Sequence, residues 1–444
     1  MTNKSGVGAL ITEEHELGTS ALDLFSIPPV EATQAKATEQ TIYLTSSLTD
    51  TGPYEFLVPN DSPDFIMLDQ THLYGEVEIT KADGSAIGDD TTIVNNFPQS
   101  LFKQVELSLN GVCVSDLSTP TYHYKAFLEN HLSYGNDVKE TTLFAKELYL
   151  KDTPGHESET MVADYLSATG AHKDSNIVKR AELAKKKIVF YMKVHVDMLG
   201  SVRYLLPGVE MKIRLLRNEN TFSIISMTAG HKIKFHKLEL KVRRVTLHPK
   251  IAAAIEHSLN SEPAKYPVAL SKIKIHQINN GVSTAHISQI IRGKLPRSFI
   301  FGFVDSEAYD GKLKNNPYVF QHFNISNMNV YINGEPIHPI ALQPSWDNYQ
   351  CLPEYTQFLN NIGLHQSYSN GITIEDFKSN TCLFAYDMSP DLCNSFYKHQ
   401  PEQGIIDIYV SFKNALAKNT NLLLYATYDE MVLIDKDRSV AMSI

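Results

Sequence analysis

Cysteine is scarce in this chain: the four copies (Cys113, Cys351, Cys382, Cys393) form no C-x-x-C pair and no dense framework. A disulfide-stapled fold is therefore not expected, and the thiols should be reduced. Tryptophan occurs once, at Trp346. No apolar run approaches the ~20 residues that a membrane span needs. No charged-then-apolar leader opens the sequence, so a soluble chain made in the cytosol is expected. Positive charge is in deficit, with 40 Lys and Arg against 50 Asp and Glu and a formal charge of −10. Phosphate neutralisation needs the opposite balance, so nucleic acid is not the expected principal ligand.

Catalytic signatures are missing too. A cupin-like enzyme would need His-x-His with converging Glu and His, yet none of the 17 histidines forms that pair. His195 stands alone between Val194 and Val196; on a strand it would face away from both, as a solvent or interface residue rather than a metal ligand. Gly293-Lys294 and Gly311-Lys312 are each followed by Leu and lack the upstream glycine of a phosphate loop. Neither H-E-x-x-H nor G-x-S-x-G occurs, and carboxylate pairs such as Glu13-Glu14 and Asp89-Asp90 sit in loop-like stretches. No catalytic, cofactor-binding or metal-binding residue is nominated, and no enzyme or cofactor is expected.

What the sequence does have is a repeat. Val105–Val114 (VELSLNGVCV) is echoed at 328–337 (MNVYINGEPI). Each stretch alternates apolar residues, runs into Asn-Gly, and returns to an aliphatic four residues after the Asn. Period-2 alternation ending in Asn-Gly marks a hairpin with a type I′ turn, which needs positive φ at both central residues. A second echo follows in the same order: Y-x-x-F-L-x-N at Tyr124–Asn130 and at Tyr355–Asn361. The offsets are 223 and 231, close to half of the 444 residues. Two ordered echoes predict a duplicated β-rich domain.

The chain in order supports this division. Residues 1–40 read as an extended arm, disordered alone, that either docks through Leu22, Leu24, Phe25 and Ile27 or is a tail with no docking role. Residues 41–249 form the first β-domain, with strands expected near 41–45, 54–58, 73–79, 105–114, 188–196, 209–216 and 233–245. Helices are expected at 122–132 and 141–149, and 155–187 reads as a long surface excursion. A connecting helix follows Pro249 (250–262). Residues 263–444 repeat the plan, with strands near 268–278, 299–304, 327–337, 381–386, 405–412 and 422–434 and a helix at 354–361. The basic stretch 231–250 reads as the solvated face of an amphipathic strand, or else as a polyanion-facing patch. Many short strands with regular turn signals point to tandem sandwiches or barrels.

A series of strings resembles the major capsid protein of Polinton/Maverick-type elements, whose viral forms are called adintoviruses. They are LDLFSIPP (22–29), SLFKQV (100–105) leading into Leu109-Asn110-Gly111, YLLPGV (204–209), AKYP (264–267), GKLP (293–296), FGFVD (301–305), NPYVFQHF (316–323), LQP (342–344) and LFAYD (383–387). Departures are NYQC (348–351) and the 139–187 region. The resemblance implies an all-β tandem double jelly roll, two eight-stranded sandwiches with a few short helices. It also implies a structural homotrimer that forms pseudo-hexagonal capsomers. Its partners would be neighbouring capsomers and a penton protein, in an icosahedral virion shell around double-stranded DNA, with no sequence-specific nucleic-acid binding and no membrane span. Such a role needs aromatic contact surfaces, for which Tyr309, Tyr318, Phe320, Phe323, Tyr349 and Tyr355 are candidates, with intradomain core as their other reading. A glycan- or receptor-binding sandwich and a metal-dependent jelly-roll enzyme are the competing classes.

Overall fold

The computed structural model describes residues 33–88, 90–154, 176–347, 350–363, 371–389 and 402–443. The first half supplies β1 (Gln34–Tyr43), β2 (Tyr54–Val58), β3 (Phe65–Thr80), β4 (Phe102–Leu109), β5 (Val112–Cys113), β6 (Ile188–Lys193), β7 (Met211–Arg217) and β8 (Lys232–Leu247). These pair as two sheets, β1-β8-β3-β6 and β2-β7-β4-β5. The second half supplies β9 (Ala264–Ile278), β10 (Thr284–Lys294), β11 (Ser298–Asp305), β12 (Ile325–Ile332), β13 (Glu335–Pro336), β14 (Leu383–Asp387), β15 (Gln403–Phe412) and β16 (Thr420–Ile434). Its sheets are β9-β16-β11-β14 and β10-β15-β12-β13. Adding eight to every label of the first half gives the second. The repeat in sequence is thus a repeat of topology, and the strand order in each half is that of a jelly roll. Two short additions lie outside this plan: Thr91–Ile93 pairs with Ile224–Ser226, and Val440–Ser443 pairs with β16.

Local sequence explains the strands. In β7, Met211, Ile213 and Leu215 point inward while Lys212 and Arg214 point out, the period-2 pattern of a half-buried strand. β16 instead opens with a buried run, Thr420–Leu424, because both faces of its sheet are covered. Both Asn-Gly pairs adopt the expected left-handed turn, with φ of 45° and 81° at Asn110-Gly111 and 53° and 85° at Asn333-Gly334. They join β4 to β5 and β12 to β13, equivalent positions in the two sandwiches. The returning aliphatics close the same bond: Val114 N–H donates to Leu107 O at 2.9 Å, and Ile337 N–H to Val330 O at 2.8 Å.

Five helices matter here: α1 (Tyr122–Ser133), α2 (Asn176–Ala184), α3 (Pro249–Leu259), α4 (Leu352–Asn361) and α5 (Ile374–Ser379). α1 and α4 carry the two Y-x-x-F-L-x-N strings, and each lies between the fifth and sixth strands of its half. α3 starts on Pro249 at its first turn, with the His248 ring accepting from Lys250 N–H. It links β8 to β9. α5 is closed by a capping box between Thr373 and Asp376.

Several expectations need correction. Strand begins at Gln34, so residues 34–40 are not arm: their N–H and C=O groups pair with β8. Residues 1–32 lie outside the described ones, as does 155–175 of the expected excursion; 176–184 of that excursion is helix, with Ile177, Arg180, Ala181 and Ala184 buried. The 141–149 helix is instead a series of short helical turns from Asn136 to Glu147, ended by Leu148 at φ 53°. β10 escaped the sequence reading because a register shift between Ile287 and Ile291, with Gln289 at φ 53°, breaks its alternation.

Hydrophobic residues gather in three cores. One fills the first sandwich and takes in Tyr266, Val268, Val432 and Ile434 of the second half, and one fills the second sandwich. A third, with Tyr124, Phe127, Phe222, Tyr318, Phe320 and Leu423, draws on both halves. The sandwiches stand side by side with the same polarity. At the end of the long connections, Tyr124 of the first half donates to Pro317 O of the second at 3.0 Å. At the end of the short turns, Asn110 Nδ2 donates to Arg438 O at 2.8 Å.

Candidate functional site

α1 is the wedge between the halves. Tyr122, Tyr124, Ala126, Phe127, Leu128, Asn130 and Leu132 are all buried, far more than one face of a surface helix would bury. Its neighbours are aromatic residues of the second half: Phe127 stacks on Tyr318 with centroids 4.3 Å apart, and Tyr124 on Tyr309 at 5.7 Å. Tyr318, Phe320 and Tyr309 thus serve a contact surface, but the partner is the other half of the same chain, whereas Tyr355 packs on Phe377 within its own half. Phe323 packs at the margin of the second sandwich core, and Tyr349 lies outside the described residues.

The polar residues of α1 reach the same sheet. Lys125 Nζ lies 2.6 Å from Asp197 Oδ2, and Asp197 Oδ2 accepts from Ser271 N–H at 3.1 Å. Glu129 Oε2 lies 2.6 Å from His195 Nδ1, while Glu129 Oε1 accepts from the Tyr425 hydroxyl at 3.2 Å. Burial opposes the charge on Lys125, but Asp197 and Glu129 outweigh it and raise its pKa. Burial likewise opposes the Glu129 carboxylate, yet Lys125 and His195 hold its pKa down. Asp197 moves up, because burial exceeds what Lys125 returns. Four ionisable groups of the first half are thereby locked to Ser271 and Tyr425 of the second. His195 is not on a strand, since β6 ends at Lys193; it and both flanking valines are buried, so the expected alternation fails there.

Further links brace the seam. Asp152, paired with buried Arg180, accepts from Asn316 Nδ2 at 2.9 Å, and Lys151 pairs with Asp376. At the opposite end the Arg438 guanidinium donates from Nε to Pro207 O at 2.8 Å and pairs with Glu256. The Tyr266 hydroxyl donates to Tyr204 O at 3.0 Å.

A cleft of about 390 Å³ at the seam is lined by Leu128, Glu129, Ser133, Arg297, Tyr386 and Tyr425, and its Glu129 carboxylate is engaged by His195 and the Tyr425 hydroxyl. Among the described residues, no group of three or more His, Cys, Asp or Glu side chains converges on a metal-sized site. Cys113, Cys351 and Cys382 are free thiols; Cys393 lies outside the described residues. No described helix is long and apolar enough to cross a membrane.

Most of the basic stretch 231–250 is β8, an amphipathic strand, and some of its cations have partners within the sheet. Lys237 and Lys241 each lie 3.0 Å from Glu239 and flank the Tyr74 ring, and His236 lies 2.9 Å from Glu78 Oε2. Arg244 donates to Gln40 Oε1 at 2.6 Å and to Pro59 O at 3.0 Å. These contacts engage Lys237, Lys241, His236 and Arg244, and both expected readings of the stretch stand.

No family model matches the chain. An uncharacterized protein of Caenorhabditis elegans is 24% identical over 405 residues, spanning 86% of this chain and 91% of that protein. Among solved structures, one of the Sputnik virophage aligns with a TM-score of 0.65 at 12% identity, over 96% of this chain and 92% of that one. The mavirus major capsid protein aligns at 0.55 and 11% identity, over 95% and 93%. The Faustovirus major capsid protein aligns at 0.55 and 8% identity, over 96% and 97%. At such identities the likeness is one of fold, and it spans nearly the whole chain: an all-β tandem double jelly roll with few short helices.

Proposed function

We propose that this chain is a structural major capsid protein without enzymatic activity. Three copies form a pseudo-hexagonal capsomer, and capsomers tile an icosahedral shell around double-stranded DNA of a Polinton/Maverick-type virus or element. The observation that carries the reading is the pair of topologically identical sandwiches standing side by side with one polarity. Three such chains supply six similar sandwiches, and a ring needs only one kind of contact repeated. Sharing this fold with virophage and giant-virus capsid proteins supports the role, and the ordered strings shared with Polinton-type capsid proteins support the lineage. The building units are taken as 41–249, extended by residues 34–40, and 263–444, joined through 250–262, with the remaining N-terminal residues as an arm. Neighbouring capsomers and a penton protein are the partners, and the virion is the location. The −10 formal charge favours a shell that confines its genome by volume over one that grips it.

The test is light scattering on a size-exclusion column, with negative-stain imaging of the same peak. A mass of three chains with hexagon-shaped particles is expected. A monomer at every concentration and salt tried would overturn the reading.

A further inference from the structure

The two halves differ at one place in the shared plan. In the first half, the connection from β3 to β4 and the one from β7 to β8 pair as short strands, Thr91–Ile93 with Ile224–Ser226. The equivalent connections of the second half run over 306–324, from β11 to β12, and over 413–419, from β15 to β16. Among the described residues no strand pair joins these two. Lys413 N–H donates to Asn324 O at 2.8 Å, and beside that link a cavity of about 540 Å³ opens, reaching the end of α5. Its size is that of a small-ligand site.

The cavity is lined by groups with hydrogen-bonding capacity to spare. Gln321, Asn324 and Asn414 present three carboxamides, none of which is hydrogen-bonded to another described side chain or backbone group. Each carboxamide carries two donor hydrogens and an accepting oxygen, a set that matches neighbouring hydroxyls on a sugar ring. Lys378 brings a cation, 3.9 Å from the Glu375 carboxylate, and among the described residues no acid lines the cavity itself. His322 Nδ1 accepts from Asn324 N–H at 2.9 Å. Burial, with Lys378 adding to it, lowers the pKa of this ring to about 4, so near pH 7 it is neutral and carries its proton on Nε2. Trp346 stacks on the same ring with centroids 4.2 Å apart and fixes its plane. Leu416, at the edge of the second sandwich core, adds an apolar surface.

The backbone is bent to make this lining. Phe323 and Asn324 are consecutive non-glycine residues in the left-handed region, with φ of 44° and 54°. Asparagine tolerates that conformation, whereas for phenylalanine it is costly, and backbone strain of this kind gathers where side chains are held for binding.

We propose that this cavity binds a saccharide, with preference for a terminal sugar that bears a carboxylate. The three carboxamides take ring hydroxyls, and Lys378 takes the carboxylate through a charge-assisted hydrogen bond. A bare phosphate would engage Lys378 and leave the carboxamides unused. The inference goes beyond the capsid reading and does not rest on it, since every group it uses lies in the second sandwich.

The experiment is saturation-transfer-difference NMR on the full chain, titrated with sialyllactose, lactose and inorganic phosphate. The same titrations are run on Asn324→Gly, Asn414→Ala and Lys378→Gln, with thermal unfolding as the check on folding. Glycine keeps the positive φ at position 324 and removes only the amide, and Asn414 is exposed, so its substitution spares the fold. Sialyllactose is expected to bind about tenfold more tightly than lactose. Asn324→Gly and Asn414→Ala should weaken both sugars, and Lys378→Gln should bring sialyllactose down to the affinity of lactose. Phosphate should not displace lactose. If neither sugar binds the unsubstituted chain, or if binding survives unchanged in both amide variants, the site is overturned. Sialyllactose that phosphate displaces and that the amide variants still bind would make the cavity an anion site, which also overturns it. Equal binding of the two sugars would overturn the preference for a carboxylate.

Discussion

Asn110 and Asn333 make the same pair of contacts 223 positions apart. Asn110 N–H donates to Glu210 O at 2.9 Å, and its Oδ1 accepts from Glu210 N–H at 2.7 Å. Asn333 does the same with Ile405, at 2.9 Å in each direction. Each asparagine ties its hairpin turn to the strand beside it, β7 or β15, using a side chain that imitates a backbone ladder. Asn110 goes further, since its Nδ2 donates to Arg438 O across the two halves.

That difference predicts unequal costs. Asn333→Ala loses one side-chain hydrogen bond and a residue tolerant of positive φ, at about 1–2 kcal/mol. Asn110→Ala loses the same and also the bond to Arg438, and should unfold at a lower temperature than Asn333→Ala. Thermal melts of the two variants decide this; equal losses would mean that the link to Arg438 contributes nothing.

The repeat was legible because a type I′ turn leaves few chemical options, so Asn-Gly survives in both halves where the rest of the sequence has drifted. The Y-x-x-F-L-x-N helices were legible for their apolar spacing. Their roles were not: α1 is buried on all sides because the second half packs over it, and nothing in residues 122–133 alone states that. His195 reads as a solvent or interface residue, yet it is buried through partners far along the chain, and the ties of Lys125 to Asp197 and of Glu129 to Tyr425 have no signature in residues 122–133. Gln289 hid β10, because one residue at positive φ shifts the phase of an alternating pattern. The seam needed the three-dimensional pairing of Ser271 with Asp197 and of Tyr425 with Glu129 before it could be seen.

Gly75 in β3 stands opposite Phe190 in β6. A Cβ at Gly75 would lie 2.2 Å from Phe190 Cζ, so the ring occupies the space a side chain would take. Phe190 is 1% accessible and has nowhere to move without displacing the first-sandwich core. Gly75→Ala should cost about 1–3 kcal/mol by overpacking. Adding Phe190→Leu should recover part of that loss, which a double-mutant cycle of chemical unfolding measures. Additive losses would show that the close approach is not the cause.

His123 gives the seam a pH dependence. Its ring lies 4.2 Å from Phe222 and 4.8 Å from Tyr124, its Nδ1 has no partner among the described residues, and burial drives its pKa down to about 3. The unfolded chain takes up a proton near pH 6.5, which the folded chain refuses until about pH 3. The folded state is therefore unaffected by this group above pH 6.5 and loses stability as pH falls from there, by about 1.4 kcal/mol per pH unit at most. Burial lowers His131 in the same direction. His123→Phe should flatten the acid limb of a stability–pH curve, and an unchanged limb would assign acid sensitivity elsewhere.

Lys125 decides whether the two halves unfold together. It is the cation facing both Asp197 and Glu129, and the first of these also holds Ser271 of the second half. Lys125→Met would leave Asp197, whose side chain is 8% exposed, without its cation, while the 26% exposed Glu129 keeps His195; breaking a buried pair from one side costs about 3–5 kcal/mol. Lys125→Met with Asp197→Leu removes the stranded acid together with the cation, so it should be less destabilised than the single variant. The two sandwich cores remain intact in both variants, because neither residue belongs to them. The loss should therefore fall on the coupling between halves. Calorimetry should show one cooperative transition for the unsubstituted chain and two resolved transitions for Lys125→Met. A single transition merely shifted to lower temperature would mean that the other links across the seam, the stacking of Phe127 on Tyr318 and the bonds of Asn316, Asp376 and Tyr266 among them, suffice to couple the sandwiches without Lys125.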